Sequence, residues 1–295
     1  MKQTMKAKLV HESAVECLAV RARAGPDIRA FGPGGWGMSA EILEEGRVYF
    51  FYWPWVGETE VDDIEDVQRL PVVLRPRGTD RFRVLVIGRK RLPRGQERLW
   101  ATVVDVVEGA DRLREALDPR TDETRTRGRR EVPAGRLAGE GVYVLARHGD
   151  HTHLAYELLH PQQAGDVQRE LNLQRRASFI ITVRNPEVPS PPGAGAGTGC
   201  CPRFPGDLQA RFGDRWFALV DPPGFLDCEG TELVLIGVAG ELARELGIDL
   251  DSEAERLSVG DVFEELRLSR DRQLADPLMK GSGGRPTAGR HAPGR

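Results

Sequence analysis

The sequence predicts an α+β fold built mostly of antiparallel sheets with short helices. Runs rich in β-branched and aromatic residues recur along the chain and are bounded by glycine or proline, which is typical of strands joined by turns. Short stretches with helical spacing of apolar residues stand between these runs. The chain has 295 residues, of which 40% are hydrophobic, so it is long enough to bury one large core or two modest ones.

Residues 1–118 form the first predicted α+β unit. Its strands are expected at 48–53, 72–74 and 82–87, where valine, phenylalanine, tyrosine and tryptophan are concentrated. Between 98 and 107 the apolar residues Trp100, Val103, Val104 and Val107 recur at i, i+3, i+4 and i+7. This spacing predicts an amphipathic helix, with a second helical turn at 111–117.

A charged connection at 119–136 is poor in apolar residues and separates the first unit from a second one at 137–186. Strands are expected there at 142–147, 151–159 and 179–183, with a short helix at 166–171. Short stretches recur between the two units, for example Val48-Tyr49 and Val142-Tyr143. An internal duplication of a strand, helix, strand unit would explain this recurrence.

The rest of the chain is predicted to form a linker, a small folded segment and a tail. The linker at 187–206 is rich in proline and glycine, and the tail at 273–295 has the composition of a disordered segment. Between them, the C-terminal α/β segment at 207–272 has strands expected at 216–220 and 233–238 and helices near 240–246 and 259–268.

Charge and cysteine content limit the classes of function. The formal net charge is −3, so the chain as a whole does not attract nucleic acid or an anionic membrane. The apolar runs are far shorter than the roughly 20 residues of a membrane-spanning helix, and the N-terminus lacks the apolar core of a signal peptide. Four unpatterned cysteines indicate no disulfide scaffold. The expected location is therefore the cytoplasm, with no membrane partner.

Four of the six histidines lie between residues 148 and 160. If Gly149-Asp150 forms the two-residue turn of a hairpin, then His148 lies opposite His151, and the period of two places His153 on the same face. Three imidazoles on one face are a suitable ligand set for zinc or another divalent metal, with Asp150 as a further ligand. The alternative is that these histidines are ordinary solvated residues on the polar face of a hairpin.

A second candidate site is the basic stretch 75–98, which contains nine positively charged residues and only two acidic ones. Arg83, Arg89, Lys90 and Arg91 would line a strand face and the following loop. Such a surface binds phosphates or nucleic acid, with an affinity that falls steeply as salt rises. The alternative is a solvated strand face that is paired with nearby acids.

The leading interpretation is a cytoplasmic binding or interaction protein that binds a metal at the histidine hairpin, with an unidentified protein or small molecule as its partner. A metal-dependent hydrolase that uses His148, His151 and His153 is the alternative, although no catalytic residue can be named from the pattern. Phosphate or nucleic-acid binding through the basic stretch is the second alternative and is not favoured.

Overall fold

The computed structural model describes residues 40–55, 61, 63–124, 128–189 and 202–238. The central part of the predicted linker, the helices expected near 240–246 and 259–268, and the predicted tail lie outside the described residues. Among the residues that the structure describes, no helix has the length and apolar character that crossing a bilayer requires.

Eleven strands account for most of the described residues: β1 (Glu41–Pro54), β2 (Val67–Pro76), β3 (Arg81–Ile87), β4 (Arg98–Glu108), β5 (Arg120–Thr124), β6 (Gly128–Val132), β7 (Arg136–His148), β8 (His151–His160), β9 (Arg176–Arg184), β10 (Phe217–Leu219) and β11 (Glu232–Gly237). The helices in this part of the chain are short: α1 (Ala110–Leu117), α2 (Asp166–Glu170) and α3 (Gly206–Ala210), with 3-10 helices at Ile64–Asp66 and Pro223–Asp227.

Eight of these strands form a closed antiparallel β-barrel. The order around the barrel is β9, β11, β4, β3, β2, β1, β7 and β8, and β8 pairs with β9 to close it. The predicted α+β class is therefore wrong. The described helices are few and short, and β1 and β7, from the two predicted units, are neighbours in one barrel. Strand β10 pairs with β9 just beyond the end of β8, since Leu219 lies opposite Thr182 and Thr152 lies opposite Ile181.

The predicted helix at 98–107 is also wrong, because this stretch is strand β4. Leu99, Ala101 and Val103 belong to the barrel core, while the alternate residues Trp100 and Val104 face outward. The residues with helical spacing lie on different sides of this strand, since Val103 is in the barrel core whereas Val104 is exposed and Val107 packs outside the barrel. The β-branched side chains of the Val-rich sequence favour the strand.

Side chains fill the interior of the barrel. The core contains Val48, Phe50, Tyr52, Val72, Leu74, Leu85, Tyr143, Leu154, Tyr156, Phe179, Ile181 and Leu235. The cavity that these strands enclose has a volume of about 10 Å³. Because one water molecule needs about 10 to 15 Å³ on this measure, the interior is a packed core without room for an organic ligand.

Further apolar side chains cover the outside and one end of the barrel. Leu113 and Leu117 of α1 pack against Tyr49, Phe51 and Phe82 on the outer face of β1 and β3. The 3-10 helix Pro223–Asp227 and the segment around α3 contribute an aromatic cluster of Phe204, Phe212 and Phe225, with ring centroids 5.2 to 5.6 Å apart. Residues 120–124 and 128–132, within the predicted charged connection, pair as the separate two-stranded sheet of β5 and β6.

Candidate metal site on the histidine hairpin

Strands β7 and β8 form the hairpin that the sequence predicts. Gly149 has a φ of 60°, which glycine adopts without strain. The two-residue turn at Gly149 and Asp150 fixes which residues of β7 and β8 lie opposite each other. His148 lies opposite His151, and Ala146 lies opposite His153. This register confirms the predicted pairing of the three histidines.

The inward face of the hairpin is the apolar one, as predicted. Tyr143, Leu145, Leu154, Tyr156 and Leu158 point into the barrel core. The strand period of two therefore turns the three histidines toward the outside of the barrel.

The structure brings three imidazole rings close together. The ring centroid of His153 lies 6.4 Å from that of His148 and 6.3 Å from that of His151. His153 is the most enclosed of the three, with 3% of its surface exposed, whereas 42% of the His151 side chain is exposed. Asp150 lies at the tip of the turn, and its Oδ1 is 3.4 Å from Nε2 of His151.

The enclosed position of His153 changes its titration. Burial lowers the pKa of His153 to about 4, and the neighbouring His151 and His148 lower it in the same direction. The ring is therefore neutral at neutral pH, which is the form that binds metal ions. Its Nδ1 atom is buried and has no hydrogen-bond partner in the part of the chain that the structure describes.

The side-chain conformers seen here do not form a finished metal site. Two nitrogen ligands of one tetrahedral zinc ion lie about 3.3 Å apart, given a zinc–nitrogen distance of about 2.0 to 2.1 Å. Within the described ranges, no group of three His, Cys, Asp or Glu side chains is arranged to hold a metal ion. Metal binding at the hairpin therefore requires His148 and His151 to rotate toward His153, and the exposure of His151 leaves its ring room to do so.

The four residues proposed for the basic site, Arg83, Arg89, Lys90 and Arg91, do not share one surface. Arg83 points into one end of the barrel, where its Nη1 lies 2.6 Å from Oε1 of Glu44 and its Nε lies 2.8 Å from Oδ1 of Asp227. The hydroxyl of Tyr143 donates a hydrogen bond of 2.8 Å to the same Glu44 oxygen. With 4% of its side chain exposed, Arg83 contributes nothing to a surface that binds phosphates.

The loop cations are arranged differently. Lys90 donates to the carbonyl oxygens of Ile64 and Glu65 at 3.0 and 2.9 Å, and Arg91 pairs with Glu97 at 2.6 Å. Arg89 is exposed. The four predicted residues therefore do not form one continuous basic face.

The sequence did not reveal the cluster of Glu44, Arg83, Tyr143 and Asp227, in which Arg83 and Tyr143 are buried and the two acids are partly buried. Burial lowers the pKa of Arg83, but the hydrogen bond with Asp227 and the charge of Glu44 outweigh it and hold the pKa above its ordinary value. Burial, reinforced by Glu44, raises the pKa of Tyr143 well above its ordinary value. These residues come from four distant segments, so no local spacing in the sequence signals them.

Comparison with protein-family models, curated proteins and solved structures finds no match to this chain. Its function must therefore be argued from the geometry of its own residues.

Proposed function

We propose that this protein is a cytoplasmic binding protein that takes up a divalent transition metal ion, with zinc as the best-suited ion, at His148, His151 and His153. The observation that carries the proposal is the grouping of three imidazoles around His153, whose Nδ1 is buried and has no hydrogen-bond partner among the described residues. Imidazole nitrogen is a preferred ligand of zinc, copper and nickel, whereas calcium and magnesium prefer oxygen.

Each histidine has a distinct part in this proposal. His153 is held by the barrel wall and supplies a fixed ligand, because its neighbours enclose its ring. His148 and His151, opposite each other at the end of the hairpin, close on the ion by side-chain rotation. The exposed carboxylate of Asp150 completes or orients the set from the turn. Where Asp150 only orients the set, the fourth position is open to water or to a ligand atom of a partner.

The test is a titration of the full-length, untagged protein with Zn²⁺ by calorimetry, and with Co²⁺ by visible absorption. We expect one ion per chain. His153→Ala and His151→Ala should each weaken binding at least tenfold, because one of three protein ligands is lost. His160→Ala is the matched control, since this exposed histidine lies at the far end of the same strand.

Two results would contradict the proposal: no saturable uptake by the wild type, or equal affinities in His153→Ala and His160→Ala. The same samples separate binding from hydrolysis. If the protein is a metal-dependent hydrolase, it should cleave an ester or phosphodiester, and this activity should disappear on chelation and in His151→Ala. If it is a binding protein, it should take up the ion without catalysing hydrolysis.

A further inference from the structure

A pocket of about 240 Å³ lies beside the first residues of β9 and the last residues of β11. Its lining comes from three parts of the chain, which are the loop before β4, the segment 172–179 that runs into β9, and the end of β11. The cavity in the barrel core has only about 10 Å³ on the same measure. Pockets for drug-sized ligands begin at about 300 Å³, so this one suits a smaller molecule.

Close backbone packing holds the walls of this pocket in place. Nδ2 of Asn172 donates hydrogen bonds to the carbonyl oxygens of Leu92 and Pro93 at 3.3 and 2.7 Å, which ties the segment before β9 to the loop before β4. On the other side, a Cβ atom on Gly237 would lie 2.0 Å from the carbonyl oxygen of Gly95, so only glycine lets this loop approach β11 so closely. The pocket is therefore shaped before a ligand arrives, which lowers the entropic cost of binding.

One lining residue, Ser178, has a buried hydroxyl that no described residue satisfies. Ser178 is 6% exposed, and its Oγ has no hydrogen-bond partner in the part of the chain that the structure describes. Its backbone carbonyl, in contrast, accepts a hydrogen bond from the N–H of Val238 at 3.2 Å. Buried polar groups of folded proteins are almost always hydrogen-bonded to the protein, to water or to a ligand. A bound molecule with an oxygen atom would give this hydroxyl its partner.

The charge around the pocket selects the class of ligand. Among the described residues that line it, Arg176 is the only charged one. Nη2 of Arg176 lies 2.9 Å from Oε2 of Glu157, and Nη2 of Arg175 lies 3.4 Å from the other oxygen of the same carboxylate. One carboxylate therefore balances the two guanidinium groups only in part. The positive charge that remains attracts an anion.

We propose that this pocket binds a small organic anion, a carboxylate attached to a compact apolar body. Arg176 attracts the carboxylate, and the hydroxyl of Ser178 donates a hydrogen bond to one of its oxygens. The apolar body lies against Pro93, Phe179 and Val238. None of the three hairpin histidines, all of which the structure describes, lines the pocket, so this inference does not rest on metal binding.

Calorimetric titration of the full-length protein with benzoate tests the proposal. Benzamide has the same shape without the charge and is the matched control ligand. A chelator in every titration prevents a carboxylate from binding through a metal ion at the hairpin. We expect saturable binding of benzoate with a Kd of about 1 mM or lower, and binding of benzamide that is at least about tenfold weaker. Absence of saturable benzoate binding, or equal affinities for the two ligands, would overturn the proposal.

Substitutions in the pocket wall test which groups hold the anion. Ser178→Ala removes the hydroxyl and should weaken benzoate binding at least about threefold, and Arg176→Gln should weaken it at least about tenfold. Arg175→Gln is the matched control, because Arg175 pairs with the same Glu157 without lining the pocket, and it should weaken binding less than about threefold. An unchanged affinity in Ser178→Ala, or equal losses in the two arginine variants, would count against the proposal.

Amide chemical shifts of the wild-type protein locate the bound anion without any substitution. The amide signals of Gly95, Gln174 and Gly237, which line the pocket, should move as benzoate is added, with the same Kd as in the calorimetry. The amide signal of Gly78, in the turn between β2 and β3, is the control and should stay in place. If the signals from the pocket stay in place while benzoate binds, the anion occupies another site and the proposal is wrong.

Discussion

Arg83 and Glu44 form an ion pair inside one end of the barrel, with 2.6 Å between Nη1 and Oε1. The arginine lies on β3, whose neighbouring residues Phe82 and Val84 face the outer cluster, so strand alternation forces Arg83 inward. The inward cation is tolerated because Glu44 and Asp227 both accept hydrogen bonds from it. Three segments of the chain are thereby joined at one point.

Removal of this cation should destabilise the fold strongly. Arg83→Met removes the buried cation, so that Glu44 keeps only the hydroxyl of Tyr143 and Asp227 keeps Arg81; losing one member of a buried pair costs about 3 kcal/mol. Urea unfolding followed by tryptophan fluorescence measures this loss. Arg112→Met is the control, because Arg112 pairs with Glu115 on the surface and such pairs contribute at most about 0.5 kcal/mol. Similar losses in the free energy of unfolding in both variants would show that the buried pair stabilises the fold no more than a surface pair does.

The stability of the protein should fall as the pH drops below about 6.5. The pKa of His153 is about 4 in the folded state, below its ordinary value of 6.5, so the unfolded chain binds the proton more tightly. Stability is therefore full above pH 6.5 and is lost as the pH falls toward 4, by about 2 kcal/mol between pH 7.5 and pH 5. Urea unfolding at both values measures the loss. The free energy of unfolding of His153→Gln should fall less than that of the wild type between the two pH values. If it falls by the same amount, groups other than His153 cause the pH dependence.

Zinc should stabilise the folded chain if the hairpin binds it. At a free Zn²⁺ concentration 100 times the dissociation constant, the free energy of unfolding rises by about 2.7 kcal/mol. Differential scanning calorimetry should therefore show a higher Tm with Zn²⁺, and a chelator should reverse the rise. For His153→Ala, which binds at least tenfold more weakly, the rise in the free energy of unfolding at the same Zn²⁺ concentration should be at most about 1.4 kcal/mol, whereas His160→Ala should show the full rise. A rise of the same size in His153→Ala would place the ion elsewhere.

The close approach of β7 and β8 should make Gly141 intolerant of any side chain. A Cβ atom at this position would lie 2.0 Å from the carbonyl oxygen of Glu157, so the two strands would have to separate. Gly141→Ala should cost about 1 to 3 kcal/mol in urea unfolding, the range for overpacked sites. Gly206→Ala is the matched control, because a Cβ atom there meets no other atom within 4 Å. A neutral effect at both positions would contradict the tight pairing.

The parts of the fold that were predicted correctly depend on short-range rules. A two-residue turn and the strand period of two fix the positions of His148, His151 and His153, because all three lie within six residues. Closure of the barrel depends on pairings between distant strands, such as β8 with β9 and β4 with β11, and no local pattern encodes them. The meeting of Arg83 with Glu44 depends on that closure, so the sequence alone could not predict it.

The place of β11 in the barrel also sets the order in which the chain becomes able to fold during synthesis. Strand β11 lies between β4 and β9, so both keep an unpaired edge until it emerges from the ribosome. From the end of β4 at residue 108 to the start of β11 at residue 232 the ribosome must add 124 residues, which takes on the order of 10 s. Throughout that interval the open edge of β4 can pair with another nascent chain, so the newly made protein passes through a period of exposure to aggregation that the finished barrel no longer has.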